Sequence, residues 1–223
     1  MDCSKERDSG AAPLPCLNSN ISNENVSGAE GDPSGAPLAS VATKLPPLST
    51  QHRKSAFVLK ESVHKLAEQH GIENLGFLTL TFRQHITDPK EAQRRLNSLL
   101  TRIIKPRYSE YVGVMERQKS GRIHYYLLVV LKIDIRTGFN FNQVEHQDYS
   151  SASPALWAEW AMWRKTAPKY GFGRIELLPV KSSTEAIAKY VGKYISKHME
   201  VRTADDKGVR LVRYSRGARA GII

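Results

Sequence analysis

The segment Tyr190-Val191-Gly192-Lys193-Tyr194-Ile195-Ser196-Lys197 holds two phenols and two ammonium groups at spacings that a helix would gather on one face. Positions i, i+3, i+4 and i+7 are neighbours on an α-helix, which groups Tyr190, Lys193, Tyr194 and Lys197. A phenol with its usual pKa of about 10 is a poor nucleophile at neutral pH. Adjacent ammonium groups favour the phenolate and also bind phosphate. The chemistry implied is tyrosine attack on a phosphodiester, leaving a covalent phosphotyrosine link. The same spacing suits a helix whose two rings pack in a core while its lysines are solvated, and these residues alone leave both readings open.

A second cluster lies in Glu116-Arg117-Gln118-Lys119-Ser120-Gly121-Arg122-Ile123-His124-Tyr125-Tyr126. Strand alternation puts His124, Tyr126 and Leu128 on one face and Ile123, Tyr125 and Leu127 on the other. Lys119-Ser120-Gly121 is hairpin chemistry. An odd loop would set Glu116 opposite His124 and Gln118 opposite Arg122; an even loop would turn Glu116 away. A carboxylate facing an imidazole is the start of a Mg²⁺ or Mn²⁺ site, although Mg²⁺ prefers oxygen. It is equally a hydrogen-bonded His–Glu pair. A third segment, Gly76-Phe77-Leu78-Thr79-Leu80-Thr81-Phe82, alternates Thr79 and Thr81 with apolar residues, as a strand does.

The elements that must position these groups follow from periodicity. Residues 55–70 form an amphipathic helix closed by Gly71. Residues 76–82 are the first strand. Asp88-Pro89-Lys90-Glu91 starts a helix, with Asp88 as N-cap and Pro89 at its first position, and Pro106 ends the run. Strands are predicted over 111–118 and 123–133, followed by an insertion loop over 134–153. A helix over 154–167 carries Trp157, Trp160 and Trp163, a strand covers 173–180, a helix opens at Ser183 and runs to about His198, and a last strand covers 208–215. The order β-α-β-β-α-β, then α-β, is that of a ferredoxin-like (split βαβ) α+β fold: a five-stranded antiparallel sheet with helices on one face. The strand at 77–82 is expected beside the strand at 122–131 in its centre.

Composition separates a leader from this domain. Residues 1–50 hold three basic and six acidic residues, and 22 of them are Ser, Gly, Pro or Asn, too few apolar groups to repay ordering. They read as a disordered leader, neither signal nor transit peptide. Residues 51–223 carry 30 basic residues against 16 acidic, a formal net +14, which points to a polyanion partner. No segment approaches about 18 apolar residues, so transmembrane helices are excluded. Both cysteines, Cys3 and Cys16, lie in the leader. A disulfide scaffold, a Cys-zinc site and a cysteine nucleophile are therefore excluded from the domain, and a reducing cytoplasm fits.

In order along the chain, the motifs Phe77-Leu78-Thr79-Leu80-Thr81, Gly121-Arg122-Ile123-His124 with Glu116 upstream, and Tyr190 to Lys197 resemble those of HUH-type endonucleases that initiate rolling-circle replication, of the two-tyrosine phage and plasmid kind. The likeness covers about residues 76–215. It implies a metal-dependent DNA strand nickase of HUH endonuclease type, in which Mg²⁺ or Mn²⁺ on the sheet polarises and positions the scissile phosphate. Tyr190 and Tyr194 are then the nucleophiles, one becoming linked to the 5′ phosphate and freeing a 3′ hydroxyl. Lys193 and Lys197 lie on phosphate, and Arg122, Thr79 and Thr81 contact DNA. His124 and Glu116 are metal ligands. The family's His–apolar–His motif reads His124-Tyr125-Tyr126 here, so Gln118, Tyr126 or water completes the shell. Single-stranded origin DNA is the partner, and with no Walker A pattern the helicase and polymerase belong to the host.

Three other functions compete. A degenerate initiator would bind DNA without cutting it. A relaxase of a mobile element would use the same chemistry. An RRM-like module would bind RNA on the sheet, but the aromatic RNP pattern is missing and the Tyr/Lys segment would go unexplained. The basic excess sets a first expectation: the affinity for single-stranded DNA falls steeply with salt, with a slope of about −0.7 for each phosphate neutralised, as read by a binding titration at several salt concentrations. A flat response argues against a phosphate-dominated interface.

Overall fold

The computed structural model describes residues 50–181 and 206–221. The expected leader (1–50), except Thr50, and the expected helix from Ser183 with Tyr190, Lys193, Tyr194 and Lys197 lie outside the described residues, as does His198.

Helix α1 (Thr50–His70) leads to a short 3₁₀ turn and then to β1 (Leu75–Phe82). It starts five residues before the apolar periodicity does, because no Gly or Pro interrupts Thr50 to Lys54 and each added residue adds a backbone hydrogen bond. In α2 (Pro89–Leu99), the Asp88 carboxylate accepts the Lys90 and Glu91 N–H groups, as a helix N-cap should. Pro106 does not stop this run where expected. A π turn (Leu100–Ile104) widens the helix, the Lys105 N–H reaches the Leu100 carbonyl, and α3 (Lys105–Arg107) accommodates Pro106 in its first turn. The hairpin strands are β2 (Tyr111–Arg117) and β3 (Ile123–Val130). The expected insertion loop contains a short helix, α4 (Phe141–Glu145), capped by the Asn140 side chain. Helix α5 (Pro154–Thr166) and β4 (Phe172–Pro179) follow, and β5 (Val212–Tyr214) is shorter than the predicted last strand.

The five strands form one sheet in the order β4-β1-β3-β2-β5 with every pair antiparallel, and β1 and β3 are adjacent in its middle as expected. The core lies on one face of the sheet, where Leu78, Leu80, Phe82, Tyr125 and Leu127 meet Leu96 and Leu99 of α2 and Leu156 and Trp163 of α5. Phe82 stacks on Phe172 with ring centroids 4.5 Å apart. The expectation of helices on one face alone is corrected by α1. Its Leu59, Val63 and Leu66 cover Leu75, Val112, Val114, Leu128 and Val130 on the other face. The chain end is fastened to α1: the Ala220 N–H donates to Ser62 Oγ at 2.9 Å and Lys65 Nζ donates to the Gly217 carbonyl at 2.6 Å.

Two ion-pair networks tie distant segments. Arg107 and the Tyr108 hydroxyl both donate to Glu159 of α5, and Trp163 Nε1 donates to Tyr108. Arg117 meets Asp206 through two hydrogen bonds of 3.1 and 2.6 Å, with both side chains buried, and its remaining nitrogen donates to the Thr87 and Gly121 carbonyls. Removing one partner leaves the other charge buried, so Asp206→Ala should cost about 3–5 kcal/mol in chemical denaturation. Lys181→Ala, which breaks an exposed pair with Glu145, should cost less than about 1 kcal/mol.

Candidate active site

The hairpin loop spans 118–122, an odd number of residues between Arg117 and Ile123, which are paired. Gly121 has φ of 84°, a left-handed conformation that an L side chain seldom adopts. Its N–H donates to the Gln118 carbonyl and the Gln118 N–H donates to the Arg122 carbonyl. Odd parity sets Glu116 directly opposite His124.

On the face that α1 covers only in part, the registers assemble two rows across four strands. One row is Glu116, His124, Thr81 and Arg174; the next is Val114, Tyr126, Thr79 and Glu176. Glu116, His124 and Thr81 are buried. Nδ1 of His124 lies 3.0 Å from Thr81 Oγ1. In the tautomer with Nδ1–H donating to Thr81, Nε2 carries a lone pair, and that atom is buried with no hydrogen-bond partner among the described residues. The Tyr126 hydroxyl donates to Glu116 Oε2 at 2.8 Å, and its ring stacks on Phe77 at 5.7 Å.

The electrostatics keep the imidazole neutral. Burial pushes the His124 pKa down to about 4, with the positive charges of Arg122 and Arg174 adding to the effect. Burial raises the Glu176 carboxyl above its ordinary value, against the pull of Arg174. Arg122 is half-buried, and its Nη2 donates to the Phe82 carbonyl and, at 3.5 Å, to the Arg83 carbonyl. It therefore ties the hairpin to the end of β1. His85 is also engaged here, with Nε2 3.1 Å from the Ser120 carbonyl.

The structure thus gathers Glu116, His124, Tyr126, Thr79 and Thr81 on one face. Gln118 lies past the end of β2, exposed and beside Arg122 rather than His124. Tyr190, Tyr194, Lys193 and Lys197 fall outside the described residues, but the ends of their segment are placed. Lys181 follows β4 at the Gly76 end of the sheet, while Asp206 is held by Arg117 at the His124 end. Sequence reasoning missed Arg174 and Glu176. Strand alternation over 173–180 pairs them on a face, yet only the β1–β4 register says that this face is the one with His124.

A buried, unpartnered imidazole nitrogen beside a carboxylate is a donor set that fits Mn²⁺ better than Mg²⁺, because Mg²⁺ takes oxygen ligands. Among the described residues no three His, Cys, Asp or Glu side chains converge on one point, so His124 and Glu116 would share an ion with water or substrate oxygens.

The family model for replication-associated proteins of the ORF2 kind matches residues 76–199. The "Phasyl DNA replicon protein arp" of Escherichia coli is 57% identical over 209 residues, which are 94% of this chain and 71% of that protein. No solved structure matches.

The His124 shift predicts a pH dependence. The folded group titrates at about 4 and the unfolded one at its ordinary 6.5. The unfolded chain therefore binds the proton first, and stability falls as pH drops through this window. His124 should account for a loss on the order of 3 kcal/mol. Denaturation curves at several pH values should show that loss, His124→Gln should flatten it, and an NMR titration should place the imidazole midpoint near 4.

Proposed function

The chain belongs to the ORF2-type replication-associated protein family, and from that premise we propose that it starts rolling-circle DNA replication by nicking single-stranded origin DNA with a tyrosine, assisted by a divalent ion. Membership makes it a replication initiator. The observation that carries the finer reading is the buried His124 Nε2, kept neutral and unpartnered opposite the Glu116 carboxylate.

In this reading His124 and Glu116 hold Mn²⁺ or Mg²⁺, which when bound supplies Lewis-acid polarisation of the scissile phosphate. Thr81 sets the imidazole tautomer from behind. Tyr126, standing where the family carries a second histidine, orients Glu116 through its hydroxyl. Arg174, exposed at the end of the same row, adds positive charge where the DNA backbone would pass. The phenol of Tyr190 or Tyr194 attacks phosphorus. Its O–P bond forms as the bond to the 3′ oxygen breaks, and that oxygen leaves with the electron pair and takes up a proton to become the free 3′ hydroxyl. Lys193 stabilises the phenolate and neutralises phosphate. The segment with both tyrosines leaves the sheet at Lys181 and returns at Asp206, so it travels from the far end of the sheet to the His124 end, which supports a meeting with His124. Host helicase and polymerase would extend the freed 3′ end.

A second reading, DNA binding without cleavage, is favoured by the presence of only two ligand-type side chains on the described face. Denaturing gels of the full chain with labelled single-stranded origin DNA, with and without Mn²⁺, separate the two. The proposal expects a Mn²⁺-dependent covalent adduct. Tyr190→Phe combined with Tyr194→Phe should eliminate it with the fold intact, since only hydroxyls are lost. His124→Ala should abolish or greatly lower cleavage while leaving DNA binding largely unchanged. Tyr126→Phe should cost about 10–100-fold through the misplaced carboxylate, and Tyr126→His should hold or raise activity. An adduct that survives the double Phe change sinks the nucleophile assignment; unimpaired binding with no adduct in Mn²⁺ leaves the binding-only reading.

A further inference from the structure

The three tryptophans of α5 have no role in the site above, and they serve different ends. Trp163 is core. Trp160 is half-buried, and its Nε1 donates at 2.6 Å to the carbonyl of Leu177 on β4, the edge strand of the sheet. Trp157 is 38% exposed, the only tryptophan among the exposed large hydrophobic residues described. It meets Trp160 edge-to-face with centroids 5.0 Å apart, and Tyr149 of the preceding loop meets Trp160 from another side at 5.5 Å. Trp157 therefore rests on a ring that is itself fixed by a backbone hydrogen bond and a second aromatic contact. The exposed indole is held in place before any ligand arrives.

Its surroundings are basic. Arg164 lies seven residues on, on the same helical face, with Lys165 beside it. Both are exposed and neither makes an ion pair among the described residues. The one acidic residue of α5, Glu159, points inward to Arg107 and Tyr108. An ordered, exposed aromatic ring beside two unpaired cations matches single-stranded nucleic acid, which offers π faces to stack and phosphates to neutralise.

We propose that Trp157, with Arg164 and Lys165, is an accessory single-stranded DNA site in which a nucleobase stacks on the indole while flanking phosphates meet the two cations. This rests on the single-stranded DNA reading above. The site lies along the same edge of the sheet as Arg174. Leu177, which holds Trp160, is three residues from Arg174, about 10 Å along a strand. Trp157 lies one helical turn, about 5 Å, further from the His124 row, because α5 runs antiparallel to β4. DNA held near His124 and continuing along the β4 edge would reach Trp157 about four or five nucleotides away at a stacked rise of about 3.4 Å. Trp157 would grip flanking DNA, not the scissile phosphate.

The test is equilibrium binding of the full chain to fluorescently labelled oligothymidine, by anisotropy, at several salt concentrations and without divalent ions. Trp157→Ala should weaken binding by roughly 5- to 100-fold, the equivalent of about 1–3 kcal/mol for one stacked base, with an unchanged salt slope. Trp157→Phe should retain most of the affinity. Arg164→Ala should instead make the slope shallower by about 0.7. Far-UV circular dichroism checks that each variant folds, as expected for surface positions. Trp157→Ala binding equal to the unmodified chain overturns the site while leaving the DNA reading standing. An unmodified chain that fails to bind oligothymidine at low salt overturns both. Loss of self-association in Trp157→Ala, seen by sedimentation with DNA affinity unchanged, would reassign the patch to contact between copies. Because the assay needs no cleavage, failure of the nicking chemistry cannot imitate any of these results.

Discussion

The side-chain alternation of β3, locked between β1 and β2, is the constraint on which the rest depends. Each residue of β3 has a partner on both sides, so a slip of one residue would carry His124 and Tyr126 into the core and turn Ile123 and Tyr125 out of it. The apolar half of the alternation resists that slip. Ile123, Tyr125, Leu127 and Val129 are all buried in the larger core cluster. The odd hairpin loop, closed by Gly121 in a left-handed conformation, is consistent only with this register. Core packing on one face thus decides which polar groups meet on the other.

Burial then gives those polar groups their character. An exposed imidazole would be partly protonated near neutral pH. Here desolvation, with Arg122 and Arg174 nearby, keeps His124 neutral and its Nε2 a donor to a ligand. The cluster is braced from outside. Arg122 ties the hairpin to the end of β1, Arg117 joins Thr87, Gly121 and Asp206, and the Ile123 N–H donates to the Ile86 carbonyl. Side chains fixed through such contacts lose little further freedom when substrate arrives, which is what a reacting site requires.

The two faces of the sheet divide the work. The α2/α5 face supplies most of the apolar burial. The opposite face is covered at one end by α1, which holds the chain terminus through Ser62 and Lys65, and at the other end presents the Glu116–His124 row. The matched family region begins at Gly76, so α1 is outside it, yet α1 closes the second face. The edge strand β4 is protected as well: Trp160 satisfies the Leu177 carbonyl and Arg136 the Val180 carbonyl, groups that would otherwise invite pairing with another chain.

Local chemistry was legible in the chain. The alternation in 76–82 and 123–130, the Asp88 cap, the Lys119-Ser120-Gly121 turn and the resulting Glu116–His124 pair all depend on residues close in sequence, where backbone period and turn geometry act directly. The order of those elements was also enough to place β1 beside β3. Other features depended on contacts that close over long stretches of chain. Arg174 joins the His124 row only because β4 pairs with β1; Asp206 meets Arg117 across 89 residues; the π turn that admits Pro106 and the length of β5 follow from packing. Nothing in the alternation of 173–180 distinguishes one edge of the sheet from the other, and a lone Asp carries no mark of its distant arginine. The sequence by itself therefore determined which side chains share a face of each strand, because alternation is a property of the local backbone. Only the tertiary structure decided which faces adjoin and which charges are buried together, because these depend on strand order and desolvation, which no local segment contains.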